Sequence, residues 1–325
     1  MIFRAPKFFY SFKCLADKCT DSCCAGWEIP IDDESYYKYK LNRSELGEKL
    51  RASISDDGGA HFELLPNGRC PFLCDTGLCE IINKLGEDAL CDICREHPRY
   101  YSATGEITEG GLGLACIGAA ELILADASRF ETVYDGGELS PLQSSARLAE
   151  YEARRESIRL AIYSDERSFS ECLSDILCRH AAAKLTRVPT SRAIRRIFES
   201  ARLAEPLDAD WSERLSRAEK AAVSAQKELV RYADGHGAAA KNLLYYFIHR
   251  YYLLGAKRGD GVRRIRLAAL STLIILAIAF AEGERLSTVS KDFSKNIEYS
   301  EQNVALFLAL CKRPSLGNCL LKLIN

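Results

Sequence analysis

From Pro141 onward, apolar residues recur at three- and four-residue spacing, the mark of helices that bury one face. The pattern predicts helices over about 142–164, 168–185, 189–203, 210–233, 238–256, 262–283 and 300–312. Pro189-Thr190-Ser191 and Ser300-Glu301 put N-cap chemistry at two of these starts. The longest apolar run, Leu267 to Ala281, is interrupted by Ser271 and Thr272. It falls short of the roughly 20 residues a membrane-spanning helix needs and predicts a buried helix instead.

The N-terminal pattern differs. Segments are short and punctuated by glycine. Strands are expected at His61–Leu65, Arg99–Ala103 and Glu106–Leu112, with Thr104-Gly105 as a hairpin turn. Val133 to Pro141, with Asp135-Gly136-Gly137, reads as a linker. No internal repeat stands out. The expected fold class is α+β, mainly α: a small, irregular, cysteine-rich metal-binding domain over 1–130 and a larger α-helical domain over 131–325.

The chain has 325 residues and a net charge of -1, so no global field draws it to nucleic acid or to an anionic membrane. Neither is expected as a partner. Arg187, Arg192, Arg195 and Arg196 read as a solvated helix face. The opening MIFRAPKFFY lacks an apolar h-region and a small-residue cleavage site, which predicts a cytoplasmic protein.

The cysteines change the picture. There are 14, and ten of them fall between Cys14 and Cys116. One group is Cys14-x4-Cys19-x3-Cys23-Cys24. The other is Cys70-x3-Cys74-x4-Cys79, then Cys91-x2-Cys94, then Cys116. In a reducing compartment such density points to metal ligation rather than disulfides. Thiolates suit zinc and iron–sulfur clusters, and both commonly take four. Adjacent Cys23 and Cys24 would face opposite ways in an extended backbone and could serve two sites. Cys172, Cys178, Cys311 and Cys319 read instead as small buried hydrophobes on helices.

Two further patterns bear on the chemistry. The Cys-x3-Cys-x2-Cys spacing of radical enzymes begins at Cys19 and at Cys70, but Gly26 and Gly77 fill the third places. A zinc ribbon from Cys70, Cys74, Cys91 and Cys94 has acceptable spacing. His97 reads as a loop residue, His249 as a core residue, and Asp32-Asp33-Glu34 as helix N-terminal charge. Tyr100 and Tyr101 read as a half-buried strand. Asp234-Gly235-His236-Gly237 follows a helical pattern rather than a strand, so it reads as a helix junction and not as a nucleotide loop.

The run CLADKCTDSCCAGWEIPID, Cys14 to Asp32, resembles the opening signature of the flagellin lysine-N-methylases. CPFLCDTGLCEIINKLGEDALCDICREHPRYY (Cys70 to Tyr101), LACIGAAELIL (Leu114 to Leu124) and KNLLYYFIHRYYL (Lys241 to Leu253) resemble later blocks of that family. Together they cover about a third of the chain. The resemblance implies a metal-ligand set of Cys14, Cys19, Cys23, Cys24, Cys70, Cys79, Cys94 and Cys116 holding an iron–sulfur cluster of the 4Fe-4S type, with zinc as the alternative. It also implies transfer of a methyl group from S-adenosylmethionine to lysines of flagellin. Cys74 and Cys91 depart from the family pattern, which has an acidic and a small residue at those places. Tyr100, Tyr101, Asp32 and Asp33 are candidates for orienting the amine, without a choice among them. The rival reading is a non-catalytic iron–sulfur or zinc module.

Overall fold

The computed structural model describes residues 2–135, 145–163, 167–207 and 210–325. Along the chain the strands are β1 (Ile2–Pro6), β2 (Ile29–Pro30), β3 (Ile54–Ser55), β4 (His61–Phe62), β5 (Arg99–Thr104), β6 (Ile107–Leu112) and β7 (Thr132–Asp135). The first helices are α1 (Lys7–Ser11), α2 (Asp33–Leu41), α3 (Glu45–Ala52), α4 (Glu80–Leu85), α5 (Asp92–Glu96) and α6 (Ile117–Leu124). There follow α7 (Ala146–Ile162), α8 (Phe169–His180), α9 (Thr190–Ala201), α10 (Trp211–Ser224), α11 (Gln226–Gly235) and α12 (Gly237–Tyr251). The last are α13 (Gly261–Glu282), α14 (Leu286–Phe293), α15 (Glu301–Leu310) and α16 (Pro314–Ile324). Mainly helical with small sheets, the fold is of the expected α+β class.

Two compact units emerge. One holds residues 13–100 with 116–118; the other holds 1–12, 101–115 and 119–325. This division does not follow a cut at residue 130. The reason is β1, which pairs in parallel with β6 (Arg4 opposite Glu109) and antiparallel with β7 (Pro6 opposite Thr132). That pairing carries the chain's first residues into the helical unit. Of the expected linker, Val133–Asp135 is β7, and residues 136–141 lie outside the described residues.

In the helical unit α13 is buried almost throughout, packed by α8, α10, α11, α12, α14, α15 and α16. It is long and apolar enough to cross a membrane by length and composition, and its apolar window is 83% buried inside the structure. The expected helix 210–233 is broken at Ala225 into α10 and α11. The Ser224 hydroxyl donates to the carbonyls of Lys220 and Ala221, which competes with helix continuation. The expected helix 168–185 stops at His180, where the buried Arg266 guanidinium takes the Ala181 carbonyl at 2.7 and 3.1 Å. Asp234–Gly237 is a junction between α11 and α12, as expected.

The cysteine unit is built from shorter pieces. β2, β4 and β3 form a small antiparallel sheet, with Ile29 and Ile54 both opposite Phe62. The expected strand at His61–Leu65 shortens to His61–Phe62. Ile29, Ile31, Leu46, Leu50, Phe62, Phe72 and Ile81 make its core, together with Cys70 and Cys91.

Candidate metal centre

All ten N-terminal cysteines fall within the cysteine unit, Cys116 included through the segment 116–118. Cys70 and Cys91 are buried, Cys14 and Cys23 are exposed, and the others are half-buried. No disulfide joins them among the described residues. Cys172, Cys178, Cys311 and Cys319 lie in the helical unit; Cys172, Cys311 and Cys319 are buried as expected, but Cys178 is exposed on α8.

The loops set these thiols in place. Cys24 and Cys70 sit on two chain segments joined by a β-bridge between Ala25 and Arg69, and the Cys70 N–H donates to the Cys24 carbonyl at 2.8 Å. A second bridge joins Leu73 to Cys79, with the Cys74 N–H donating to the Leu78 carbonyl at 2.9 Å. Gly26 and Gly77, which occupy the third places of the interrupted radical spacing, have φ of +81° and +79°. Turns of that hand favour glycine, so the residue type there answers to the backbone.

Cys23 and Cys24 do not diverge as an extended backbone would make them. The chain bends at both, and their Sγ atoms approach to 4.0 Å. The Trp27 indole Nε1 donates to the Cys23 carbonyl at 2.7 Å, and its ring stacks on His97.

Cys91 stands at the N-cap position of α5, and Cys94 follows on its first turn, the Cys94 N–H donating to the Cys91 carbonyl at 3.0 Å. Cys94 lowers the Cys91 thiol against the opposing effect of burial, whereas Cys91 and burial together raise Cys94. The charges of Cys24 and Cys70 also bear on Cys94. Burial pushes the Cys70 thiol up to about 11. Cys79 bears on Cys70 and itself feels Cys74 and Cys23, while Cys19 feels Cys14 and Cys23.

Asp32 is structural. One carboxylate oxygen accepts from the Ser35 N–H at 2.9 Å and caps α2; the other accepts from the Asp92 N–H at 2.8 Å and caps α5. Burial opposes its ionisation, yet the backbone donors hold its carboxyl below the usual range. Asp33 and Glu34 fill the first turn of α2, and Tyr100 and Tyr101 lie on β5. None of the candidates for orienting an amine is thereby singled out for catalysis.

Among the described residues no three His, Cys, Asp or Glu side chains converge closely enough to hold an ion. The donor set nonetheless matches a thiophilic metal in chemistry: ten thiols in one unit, with Cys23 and Cys24 in contact. The family resemblance implied eight ligands and set Cys91 aside as a departure, whereas spacing admitted Cys91 with Cys70, Cys74 and Cys94 as a zinc ribbon.

In the helical unit, Arg167, Ser170, Glu171, Asp175, Cys178 and Asn325 line an open depression of about 450 Å³. Its charged rim is engaged in an Arg167–Asp175 ion pair at 3.2 Å, and it carries no assignment to a nucleotide.

The chain is similar to flagellar biosynthetic protein FliU of Salmonella muenchen, 30% identical over 131 residues that make up 37% of this chain and 76% of that protein. It is also similar to the lysine-N-methylases of Salmonella typhimurium and Salmonella choleraesuis. Each is 30% identical over 128 residues, 37% of this chain and 32% of the relative. The match thus spans about a third of the lysine-N-methylases' own length. No family model and no solved structure matches.

Proposed function

We infer a function for this chain from its family, for it belongs to that of FliU and the lysine-N-methylases, and we propose that it methylates lysine side chains of a protein, flagellin foremost. The observation that carries this reading is the likeness to FliU over three quarters of that protein's length, 76%, together with the names of the two lysine-N-methylases.

In the proposed reaction S-adenosylmethionine supplies a methyl group on a sulfonium. The lysine nitrogen must attack with a free lone pair, forming the N–C bond as the S–C bond breaks, and one proton must leave the nitrogen. A lysine ammonium ordinarily titrates near 10.4, so the site has to desolvate it or place an acceptor beside it. The chain holds a buried acceptor, Glu298, against its aromatic helix α12. Glu298 accepts from the hydroxyls of Tyr251 at 2.8 Å and Tyr246 at 3.2 Å, beside Arg250 at 3.3 Å. These four form one polar node in an otherwise apolar core, and no substrate contact is assigned to them.

We also propose that Cys14, Cys19, Cys23, Cys24, Cys70, Cys79, Cys94 and Cys116 supply the thiolates for an iron–sulfur cluster, in a cytoplasmic protein. Such a group would tie together a unit made of short elements.

The test is mass spectrometry of flagellin from strains with and without the gene, alongside calorimetric binding of S-adenosylmethionine to the anaerobically purified full chain. Gene-dependent lysine methylation with cofactor binding is the expected result. Unchanged methylation and no binding would overturn it and leave the non-catalytic metal module.

A further inference from the structure

We propose that Phe3, Phe9, Tyr10 and Tyr101, with the Asp135 carboxylate beside them, form a binding site for the methylated ammonium of a lysine side chain on a protein partner. The choice of lysine among alkylammonium ions rests on the reading that the chain acts on protein lysines. The proposal goes beyond that reading, because it assigns a site that holds the methylated side chain rather than one that methylates it.

The sheet that contains β1 sorts its side chains onto two faces. Arg4 and Glu109, opposite each other on β1 and β6, are buried on one of them, where Arg155 of α7 donates to Glu109 at 2.7 Å. Phe3 alternates with Arg4 and takes the other face. Asp135 lies opposite Phe3 on β7, and Thr108 lies opposite it on β6. Directly opposed residues share a face, so Asp135 stands beside Phe3. Gly110, two residues after Thr108, is on that face as well.

Three rings meet there. Their centroids are 5.8 Å apart for Phe3 and Phe9, 6.0 Å for Phe3 and Tyr101, and 6.0 Å for Phe9 and Tyr101. Tyr10 adds a fourth ring, 5.3 Å from Phe9 and at 78° to it. Gly110 makes room for the cluster: a Cβ there would come within 2.7 Å of Phe3 Cζ and 3.0 Å of Phe9 Cε2. The rings thus rest on bare backbone. Phe9 is the buried backing, at 6% exposure, whereas Tyr10 and Tyr101 stay 49% and 51% exposed.

Such a surface fits a large, weakly hydrated cation. The face of an aromatic ring is electron-rich, and a cation within about 6 Å of its centroid is attracted to it. A cation resting about 4 Å above the plane of the Phe3, Phe9 and Tyr101 centroids lies about 5 Å from each, inside that reach. Asp135 is exposed, and no ion pair engages it among the described residues. Its charge also reaches Tyr10, whose hydroxyl is raised by burial and then by Asp135. An unmodified lysine ammonium is strongly hydrated and gives up hydrogen bonds to water when it meets rings. N-methyl groups replace those donors and keep the charge, which favours the methylated form.

The experiment titrates the full chain, without S-adenosylmethionine, with tetramethylammonium and with a peptide carrying one trimethyllysine, followed by NMR of the N-methyl protons. Bound N-methyl groups should move upfield, because they lie over ring faces, and the same peptide with unmodified lysine should bind about fivefold more weakly. Tyr101→Leu keeps apolar surface but removes the ring; it should weaken binding about fivefold and shrink the upfield shift, and Tyr101→Phe should restore both. Asp135→Asn should weaken tetramethylammonium and leave tert-butanol, a neutral group of similar size, unaffected. Gly110→Ala should displace the rings and abolish binding; if that variant does not fold, Tyr101→Leu, changed at an exposed position, still decides. Equal binding of tert-butanol and tetramethylammonium would reduce the site to a plain apolar patch and overturn the proposal, as would N-methyl protons that do not shift. Tighter binding of phosphatidylcholine vesicles than of the peptide would give the site to a lipid headgroup and overturn it too. The binding assay needs no methyl transfer. A chain that methylates without binding therefore refutes this site alone, and one that binds without methylating refutes only the proposed activity.

Discussion

The helical and cysteine units reach stability by different means. In the helical unit, long helices bury a continuous apolar core around α13, with Phe247, Phe293, Phe307 and Ile274 fully enclosed. The cysteine unit has three strands of two residues each and helices of five to nine. Its core is a small cluster in which two of the members are thiols. Short elements bury little apolar area, and small cores ordinarily need a staple. Periodic hydrophobicity therefore accounts for one unit, and side-chain chemistry has to account for the other.

The sharpest way to break this comparison is to remove metal. Ligation energy is folding energy in small metal domains, on the order of 10 kcal/mol for a structural zinc. Chelation of the holoprotein should abolish hydrogen-exchange protection across α2, α3 and β4 while α12 and α13 stay protected. Cys70→Ser should act in the same direction and lower metal content, whereas Cys172→Ser should leave metal content unchanged. Equal loss of protection in both units, or equal metal loss in both variants, would erase the distinction.

The next effect belongs to the helical unit. Glu109 on β6 is buried and accepts from Arg155 at 2.7 Å twice and from Arg4 at 2.8 Å; Arg4 also pairs with Glu152 at 2.7 Å. Burial works against the Glu109 charge, but the two guanidiniums hold its carboxyl well below the usual range. Glu109→Ala would strand the buried Arg155 guanidinium and leave Arg4 only Glu152, and should cost about 3–5 kcal/mol in urea unfolding. Glu34→Ala, which breaks the exposed pair with Lys38, should leave stability unchanged. Similar behaviour of the two variants would mean that Glu109 is not buried in solution.

How much of this could be read from the sequence follows from the same physics. The core helices were legible because burial writes a 3.6-residue period, and the β5–β6 hairpin because Thr104-Gly105 marks its turn, with Gly105 at φ +64°. The buried turn Ser294–Glu298 was not, because its Ser, Lys, Asn and Glu look like surface. Only Tyr246, Tyr251 and Arg250, distant in sequence, explain why Glu298 can sit inside. β1 was hidden for a similar reason: its partners are over one hundred residues away, and parallel pairing leaves no turn signal. In the cysteine unit the spacing showed that thiols gather, but which ones share a neighbourhood depends on bends at Cys23 and Cys24 and on the cap that Asp32 lends to α5.

A pH titration sharpens the comparison further. His249 on α12 is buried, which lowers its pKa from 6.5 to about 4 despite the nearby Glu109 carboxylate. Between those values the unfolded chain binds a proton that the folded chain refuses, so stability falls as pH falls from 6.5 towards 4, by about 3 kcal/mol. Half-buried His180 has the same sign, with burial and Arg154 lowering it. The depressed pKa of Glu109 extends the loss below 4.5, because that carboxylate's contribution is present above its ordinary pKa and fades as acid protonates it. His249→Gln should flatten the slope of unfolding free energy between pH 6.5 and 4. An unchanged slope would place the proton uptake elsewhere.

The smallest effect is a helix cap, and it compares like with like across the two units. In the helical unit, the Ser168 hydroxyl accepts from the Glu171 N–H at 3.3 Å, and Glu171 Oε2 accepts in return from the Ser168 N–H at 2.8 Å. This capping box satisfies two backbone donors at the start of α8, whose inner face is already fixed by Phe169, Cys172, Leu173 and Ile176. Ser168→Ala should therefore cost only about 1 kcal/mol, without altering which amides are protected along α8. Asp32 in the cysteine unit serves two helices at once, α2 and α5, with little apolar packing beneath α5. Asp32→Ala should accordingly cost more than Ser168→Ala and should free the amides of α5 to exchange. Equal costs, with α5 amides still protected, would show that α5 is held by something other than its cap, and the two units would then rely on packing alike.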